Sequence, residues 1–159
     1  MNSPASSVPA GGRYFEDYLP GSVQIFGSIT VNEAEVLEFA RRFDPQPMHV
    51  DPEAAARGVF TGLIASGWHT AGIMMRLFAD NFLSNESSIV SPGVDELRWI
   101  QPVRPGDILR IRVTVLEAKR SQSKPDRGMV RTLIEVLNQN DIVVMTVKPM
   151  NLMRCRPTA

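Results

Sequence analysis

The 159-residue sequence contains a single cysteine, Cys155, and only two histidines, and its charges cancel. One thiol cannot form an internal disulfide, which favours a reducing cytoplasm over an oxidising compartment. Two histidines in different segments and one remote cysteine supply no ligand cluster, so no metal site is expected.

Charge and hydrophobicity exclude two further partner classes. Lysine plus arginine and aspartate plus glutamate number 17 each, so no global field favours nucleic acid or an anionic membrane. The amino terminus has neither a basic region followed by an apolar run nor a spanning segment, so we expect no membrane partner.

The length of the chain bounds its organisation. With 43% apolar residues, 159 residues can bury one sizeable core but are too few for two ordinary domains. Residues 1–12, MNSPASSVPAGG, mix serine, proline, alanine and glycine without periodicity, which predicts a flexible amino-terminal arm. Residues 13–159 are therefore predicted to form one domain.

A strand and an amphipathic helix are predicted before residue 44. The segment GSVQIFGSI is typical of a strand, which ends at Thr30. Apolar side chains then recur on one helical face over residues 31–43. Thr30 and Glu33 have the spacing of a capping box, which places the start of the helix directly after the strand.

Two prolines interrupt the helical pattern that precedes them. Pro45 and Pro47 disfavour helical geometry, so the segment DPQPMHV at 44–50 is predicted to be a stiff extended loop. A short helix is predicted after this loop, capped by Asp51 and stopped by Gly58.

The second half of the chain predicts one helix and four strands. The segment 67–83 is apolar around most of its circumference, which predicts a helix buried on nearly all sides. The strands that would surround it are predicted at 89–100, 107–119, 128–138 and 141–153. Together these elements predict an α+β fold in which an antiparallel sheet curls around a long central helix.

The most informative pair of polar residues lies in the proline-stiffened loop. His49 follows a carboxylate, Asp44, by five residues. A neutral imidazole can take a proton from water, and a nearby carboxyl can orient that water or deliver a proton. On spacing alone the simpler interpretation is structural, with Asp44 ending a helix and His49 serving as a surface or core side chain.

Four segments resemble a known family. FDPQPMHVDPEAA at 43–55 resembles the hydratase motif of the MaoC-like dehydratases, or (R)-specific enoyl-CoA hydratases. YFEDYLPG at 14–21, LIASGWHT at 63–70 and GVDELRWIQPVRPGD at 93–107 are similar to further parts of that family, in the same order. The resemblance covers nearly everything after residue 12, and it implies a single hotdog domain in which an antiparallel sheet wraps around a long central helix.

The resemblance also implies an activity in fatty acid metabolism. Asp44 and His49 match the family's catalytic pair, which adds water reversibly, in syn fashion, to trans-2-enoyl-CoA and gives (R)-3-hydroxyacyl-CoA. We expect His49 to be the base toward water, and Asp44 to hold the water and help return a proton to the α-carbon. Coenzyme A would arrive as part of the substrate, with no separate cofactor, and the family implies a homodimer or a larger homo-oligomer.

The start of the central helix completes the expected site. Charge builds on the thioester oxygen as the enolate forms, and a helix start supplies amide donors and a favourable dipole. Gly67 matches the family's glycine at that place, with Ser66 as the helix cap; helix packing is the alternative explanation for Gly67.

Two departures from the family's pattern affect this region: Gln46 replaces the usual asparagine, and SGWH replaces HGML. The second departure puts Trp68 and His69 at the helix start, where His69 is expected either to contact the ligand or, more simply, to satisfy a buried hydrogen bond.

Two other functions compete with hydration. A hotdog acyl-CoA thioesterase would need a carboxylate near the middle of the central helix, where this chain offers only Asp80 near the far end. A noncatalytic acyl-CoA-binding module would bind the thioester without turnover and would be indifferent to the loss of His49.

Overall fold

The structure is a computed structural model that describes residues 12–158. The predicted flexible arm, residues 1–12, lies outside the described residues except for Gly12. After a short 3-10 helix, Phe15–Asp17, the elements follow in chain order as β1 Val23–Thr30, α1 Glu33–Phe43, α2 Pro47–Val50, α3 Pro52–Arg57, α4 Gly67–Asn81, β2 Ser88–Trp99, β3 Ile108–Arg120, β4 Arg127–Leu137 and β5 Val143–Arg154. None of these helices has the length and hydrophobicity needed to cross a membrane.

The five strands form one antiparallel sheet in the order β1-β3-β4-β5-β2. Alternating side chains of β3 fill the core, and Leu109, Ile111 and Val113 are completely buried. Since period-2 alternation leaves one face of a strand apolar, this face packs inward and the other faces solvent. The predicted α+β fold, with an antiparallel sheet and a long helix, is confirmed.

Helix α4 packs against β1 and β3 with one face and also contacts α1. Ile73, Leu77 and Phe78 lie on this face and are buried, whereas Trp68 and Met75 are exposed. The prediction of burial on nearly all sides is therefore wrong for the described chain. The apolar composition of this helix does not show how much of its surface is covered. A single sheet contacts a helix from one side, so apolar residues on the other side remain exposed.

Helix α1 starts two residues later than predicted, and its cap is different. The Asn32 side chain caps the helix by accepting hydrogen bonds from the amides of Ala34 and Glu35. Thr30 is the last residue of β1 and pairs with Ile108 of β3, so it is part of the sheet. The predicted capping box of Thr30 and Glu33 is therefore wrong, because strand pairing extends through the residue that would have been the cap.

The segment expected to be an extended loop is partly helical. Residues 47–50 form α2, with Pro47 in its first turn. Proline is tolerated there because its missing N–H would have no helical partner at that position. The prediction holds for residues 44–46 and is wrong for residues 47–50. Helix α3 is confirmed, with Asp51 as its cap and Gly58 directly after it.

Candidate active site

Asp44 is the residue directly after α1, and its carboxylate accepts two hydrogen bonds. The Ser66 hydroxyl donates to Oδ2 at 2.6 Å, and the Gln46 side-chain amide donates to Oδ1 at 2.7 Å. Donors of this kind stabilise the charged form, and the hydrogen bond from Ser66 is the largest cause of the lowered pKa of Asp44. Asp44 is therefore an ionised hydrogen-bond acceptor at neutral pH.

His49 is buried in α2 and faces Asp44 through one ring nitrogen. Its Nδ1 lies 2.8 Å from the carbonyl oxygen of Ile64. A carbonyl only accepts, so Nδ1 is the donor, and in the neutral ring Nε2 is left without a proton. This Nε2 lies 3.4 Å from Asp44 Oδ2.

The helical turn of α2 explains how residues five apart in sequence meet. An extended chain advances about 3.3 Å per residue, whereas a helix advances about 1.5 Å and turns back on itself. The turn at 47–50 keeps the His49 imidazole close to Asp44, and Pro47 makes the start of this turn rigid.

Ser66 connects the carboxylate to the start of α4. Its hydroxyl oxygen accepts a hydrogen bond from the Trp68 amide at 3.3 Å, while the same hydroxyl donates to Asp44. The next residue, Gly67, begins the helix, and among the described residues no acceptor contacts its amide. A free N–H at the positive end of a helix is a donor available to a developing negative charge.

The role of Ser66 can be tested by removing its hydroxyl. Ser66→Ala is expected to raise the pKa of Asp44 toward its ordinary value, because the charged form loses its strongest donor. The depressed pKa contributes stability above the unfolded-state pKa, and this contribution disappears as the pH falls through the folded-state pKa. The variant should therefore lose less stability than the wild type on acidification. The carboxyl carbon-13 shift of Asp44 measures its pKa directly.

Ser66→Gly separates this effect from helix capping. Both substitutions remove the hydroxyl, but loss of an N-cap side chain costs about 0.5–2 kcal/mol with alanine and only a few tenths with glycine. Both variants should therefore show the same rise in the pKa of Asp44 with different free energies of unfolding. An unchanged pKa in both would contradict the hydrogen bond between Ser66 and Asp44.

A cavity of about 390 Å³ opens beside these groups. This volume is in the range of small-molecule sites, about 300–1,000 Å³. Asp44, His49 and Gln46 supply its polar wall near the start of α4. The rest of the lining is mostly apolar and includes Phe60, Ile64, Ala65, Trp68, Trp99, Ile100, Val103 and Val144. The cavity can therefore accept an apolar chain that presents one reactive end to Asp44 and His49.

The structure brings most of the predicted site residues together. Asp44, Gln46, His49, Gly67 and Trp68 all line the cavity. Ser66 lies behind them, completely buried, and reaches the site only through its hydrogen bond to Asp44.

His69 lies away from this cavity. Its ring stacks on Phe39 of α1 at a centroid distance of 5.0 Å and borders a separate hollow between α1 and α4. Its buried Nδ1 has no hydrogen-bond partner within residues 12–158, so the expected buried hydrogen bond is not formed there. Burial lowers the pKa of His69, although Glu35 acts in the opposite direction. His69 therefore packs against α1 and does not line the cavity that contains Asp44 and His49.

Two contributors to the site carried no signal in the sequence. Ile64 holds His49 through its main-chain carbonyl, which any residue could supply. Trp99 ends β2 and lies against Gly67, a contact that depends on the pairing of β2 with β5. A Cβ added to Gly67 would lie 2.5 Å from Trp99 Nε1 and 2.7 Å from its Cδ2. Packing, the alternative explanation for this glycine, therefore applies in this structure.

Comparison with known proteins supports the family resemblance found in the sequence. A sequence model of the MaoC like domain matches residues 19–137. The chain belongs to the MaoC-like dehydratase family. The crystal structure of a MaoC-like dehydratase from Rhodospirillum rubrum covers 92% of this chain and 100% of its own, with 40% identity and a TM-score of 0.84. The fold of this MaoC-like chain is therefore the predicted hotdog fold.

Two further proteins are similar to this MaoC-like chain, and the name of the second states an activity. Protein YdeM of Bacillus subtilis (strain 168) is 32% identical over 129 residues, which are 81% of this chain and 90% of the relative. The 3-hydroxybutyryl-CoA dehydratase of Methylorubrum extorquens is 31% identical over 105 residues, which are 65% of this chain and 64% of the relative. The match therefore spans just under two thirds of that dehydratase.

Proposed function

We propose that the protein is a hydro-lyase that adds water reversibly, in syn fashion, to trans-2-enoyl-CoA and gives (R)-3-hydroxyacyl-CoA. The observation that carries this proposal is the pair formed by Asp44 Oδ2 and His49 Nε2, 3.4 Å apart on the wall of an apolar cavity. Membership of the MaoC-like dehydratases supports hydro-lyase chemistry. The name of the Methylorubrum extorquens relative supports a CoA thioester as substrate, so coenzyme A enters with the substrate and no separate cofactor is needed.

His49 carries the transferred proton in this mechanism. Its Nε2 takes a proton from water while the water oxygen bonds to the β-carbon, and the electron pair of the double bond moves toward the thioester carbonyl. The free amide of Gly67 donates to the resulting enolate oxygen. Nε2 then returns the same proton to the α-carbon. Because one base serves both steps from one side, the addition is syn.

Asp44 remains ionised throughout this reaction. The hydrogen bonds from Ser66 and Gln46 lower the pKa of Asp44, which makes Asp44 a poor proton donor. They therefore favour a role other than the one expected from the sequence, in which Asp44 helps to return a proton to the α-carbon. The carboxylate accepts the second hydrogen of the attacking water and stabilises the imidazolium of His49. Both tasks need a negative charge held in a fixed position, which the two donors provide.

The geometry around Asp80 does not favour the thioesterase alternative. Asp80 is exposed near the end of α4, where it pairs with Arg76 at 2.7 Å. It does not line the cavity that contains Asp44 and His49. A water activated by Asp80 would therefore be remote from a thioester bound in that cavity.

The proposal is tested with a panel of trans-2-enoyl-CoA substrates of increasing acyl length. Loss of the enoyl-thioester absorbance measures hydration, and a free-thiol assay on the same samples measures hydrolysis. We expect turnover without thiol release. Thiol release alone would indicate a thioesterase, and binding without turnover of any substrate would indicate a noncatalytic module.

We also propose that the protein forms a homodimer through β2. Within residues 12–158 this strand pairs with β5 along one edge only, and its twelve residues include the exposed side chains of Val90 and Val94. A long edge strand with exposed apolar residues offers unpaired main-chain groups to a second strand. A second copy of the chain can present the same edge across a two-fold axis, so that the unpaired main-chain groups of both copies form hydrogen bonds with each other.

Val94→Glu is expected to convert this dimer into a monomer, because the interface would bury a carboxylate that has no partner. The matched control is Ile25→Glu, which changes an equally exposed apolar residue on β1, the opposite edge strand. Sedimentation velocity of both variants measures the oligomeric state. Dissociation by Ile25→Glu with a persistent dimer in Val94→Glu would place the interface on β1 instead.

A further inference from the structure

The Trp99 indole fills the space beside Gly67 that a side chain would occupy. Its Nε1 and Cδ2 are so close that any Cβ at residue 67 would overlap the ring. Both residues line the cavity that contains Asp44 and His49. The ring therefore packs against the residue that carries the free amide at the start of α4.

The Trp99 ring is half-exposed in this position. Among the described residues its aromatic neighbour is Trp68, whose ring centroid is 5.0 Å away in an edge-to-face arrangement. Such pairs contribute about 0.5–1.5 kcal/mol beyond their buried area. Trp99 is 46% exposed, and none of the side-chain hydrogen bonds within residues 12–158 involves its indole N–H. Rotation of the side chain toward solvent would therefore break no hydrogen bond.

The position of the indole conflicts with the position that the substrate needs. An amide stabilises a developing oxyanion only at about 2.7–3.1 Å from the oxygen. A thioester oxygen at this distance from the Gly67 amide lies close to the indole, because the ring packs against the same residue in the wall of the same cavity. We therefore expect the substrate and the ring to compete for the space beside Gly67.

We propose that Trp99 is a gate for the thioester: the indole covers the main chain at Gly67 when the site is free and turns toward solvent when an acyl thioester binds. This inference rests on the proposed function, since it takes the Gly67 amide as the donor to the thioester oxygen. The gate responds to the acyl thioester group, and coenzyme A without an acyl group leaves it closed.

The test follows the fluorescence of Trp99 alone. The chain contains two tryptophans, so Trp68→Phe leaves Trp99 as the one emitter and retains an aromatic neighbour. Butyryl-CoA is the probe, because a saturated acyl chain cannot be hydrated. Titration is expected to shift the emission maximum to longer wavelength and to increase quenching by acrylamide, as the indole becomes exposed to water. Coenzyme A alone should produce neither change.

A glycine substitution opens the same gate without ligand. In the Trp68→Phe protein, Gly67→Ala should shift the emission to longer wavelength before any addition, because the new Cβ displaces the ring. Gly72→Ala is the matched control, since this glycine is on the same helix and an added Cβ there meets nothing within 4 Å. Its emission should remain that of the parent protein.

The possible outcomes separate this gate from the hydratase activity. Calorimetric binding of butyryl-CoA with unchanged emission and quenching would overturn the gate and leave the hydratase proposal intact. A shift on binding, together with no turnover of any enoyl-CoA by the wild type, would support the gate and contradict hydration. Absence of butyryl-CoA binding would overturn the gate.

Discussion

His49→Ala is expected to lower kcat for the hydration of trans-2-enoyl-CoA by about 10²- to 10⁴-fold, the usual contribution of a positioned acid or base. In the neutral ring of His49, Nε2 is the nitrogen free to accept a proton beside the cavity, and the proposed mechanism uses it for both proton transfers. Alanine leaves a small void in α2 and no base within reach of the water. Initial rates from the enoyl-thioester absorbance measure the effect, and circular dichroism shows that the variant is folded.

The second histidine provides the control for this variant. His69→Phe keeps an aromatic ring stacked on Phe39 and changes a residue that borders a different hollow. Most of the activity should be retained. If His49→Ala retained full activity, His49 would not be the base, and a noncatalytic role for the pair would explain the site better.

The fold was largely predictable because its strands alternate. In β3 every second residue from Leu109 to Val115 is apolar, and each of these residues is buried. Such a pattern is local, so the sequence alone shows it. The exposure of Met75 on α4 was not predictable in this way, because the contact between this helix and the sheet involves segments far apart in the chain.

The candidate site was predictable in its residues and less so in its geometry. The motif predicted Asp44 and His49, but not the helical turn at 47–50, because Pro47 acts as a breaker within a helix and as a favourable residue at its start. Ser66 was predicted as a helix cap from its position. Its bond to Asp44 joins residues 22 apart in sequence, and neither periodicity nor spacing encodes such a contact.

Asp44→Asn is expected to lower kcat by about 10²-fold or more, within the range for acid–base groups. The amide has almost the shape of the carboxylate, and it can accept from Gln46 while donating to the Ser66 hydroxyl, so the fold should be retained. It carries no charge, however, and cannot stabilise the imidazolium of His49. Rates measured as for His49→Ala give the size of the loss.

The double variant of Asp44→Asn and His49→Ala shows whether the two residues act as a unit. If Asp44 works only by holding water for His49 and stabilising its imidazolium, removing it from a protein that already lacks His49 should cost little more. The double variant should then be about as active as His49→Ala alone. If the two losses multiplied instead, Asp44 would transfer a proton independently, and the assignment of both proton transfers to His49 would be wrong.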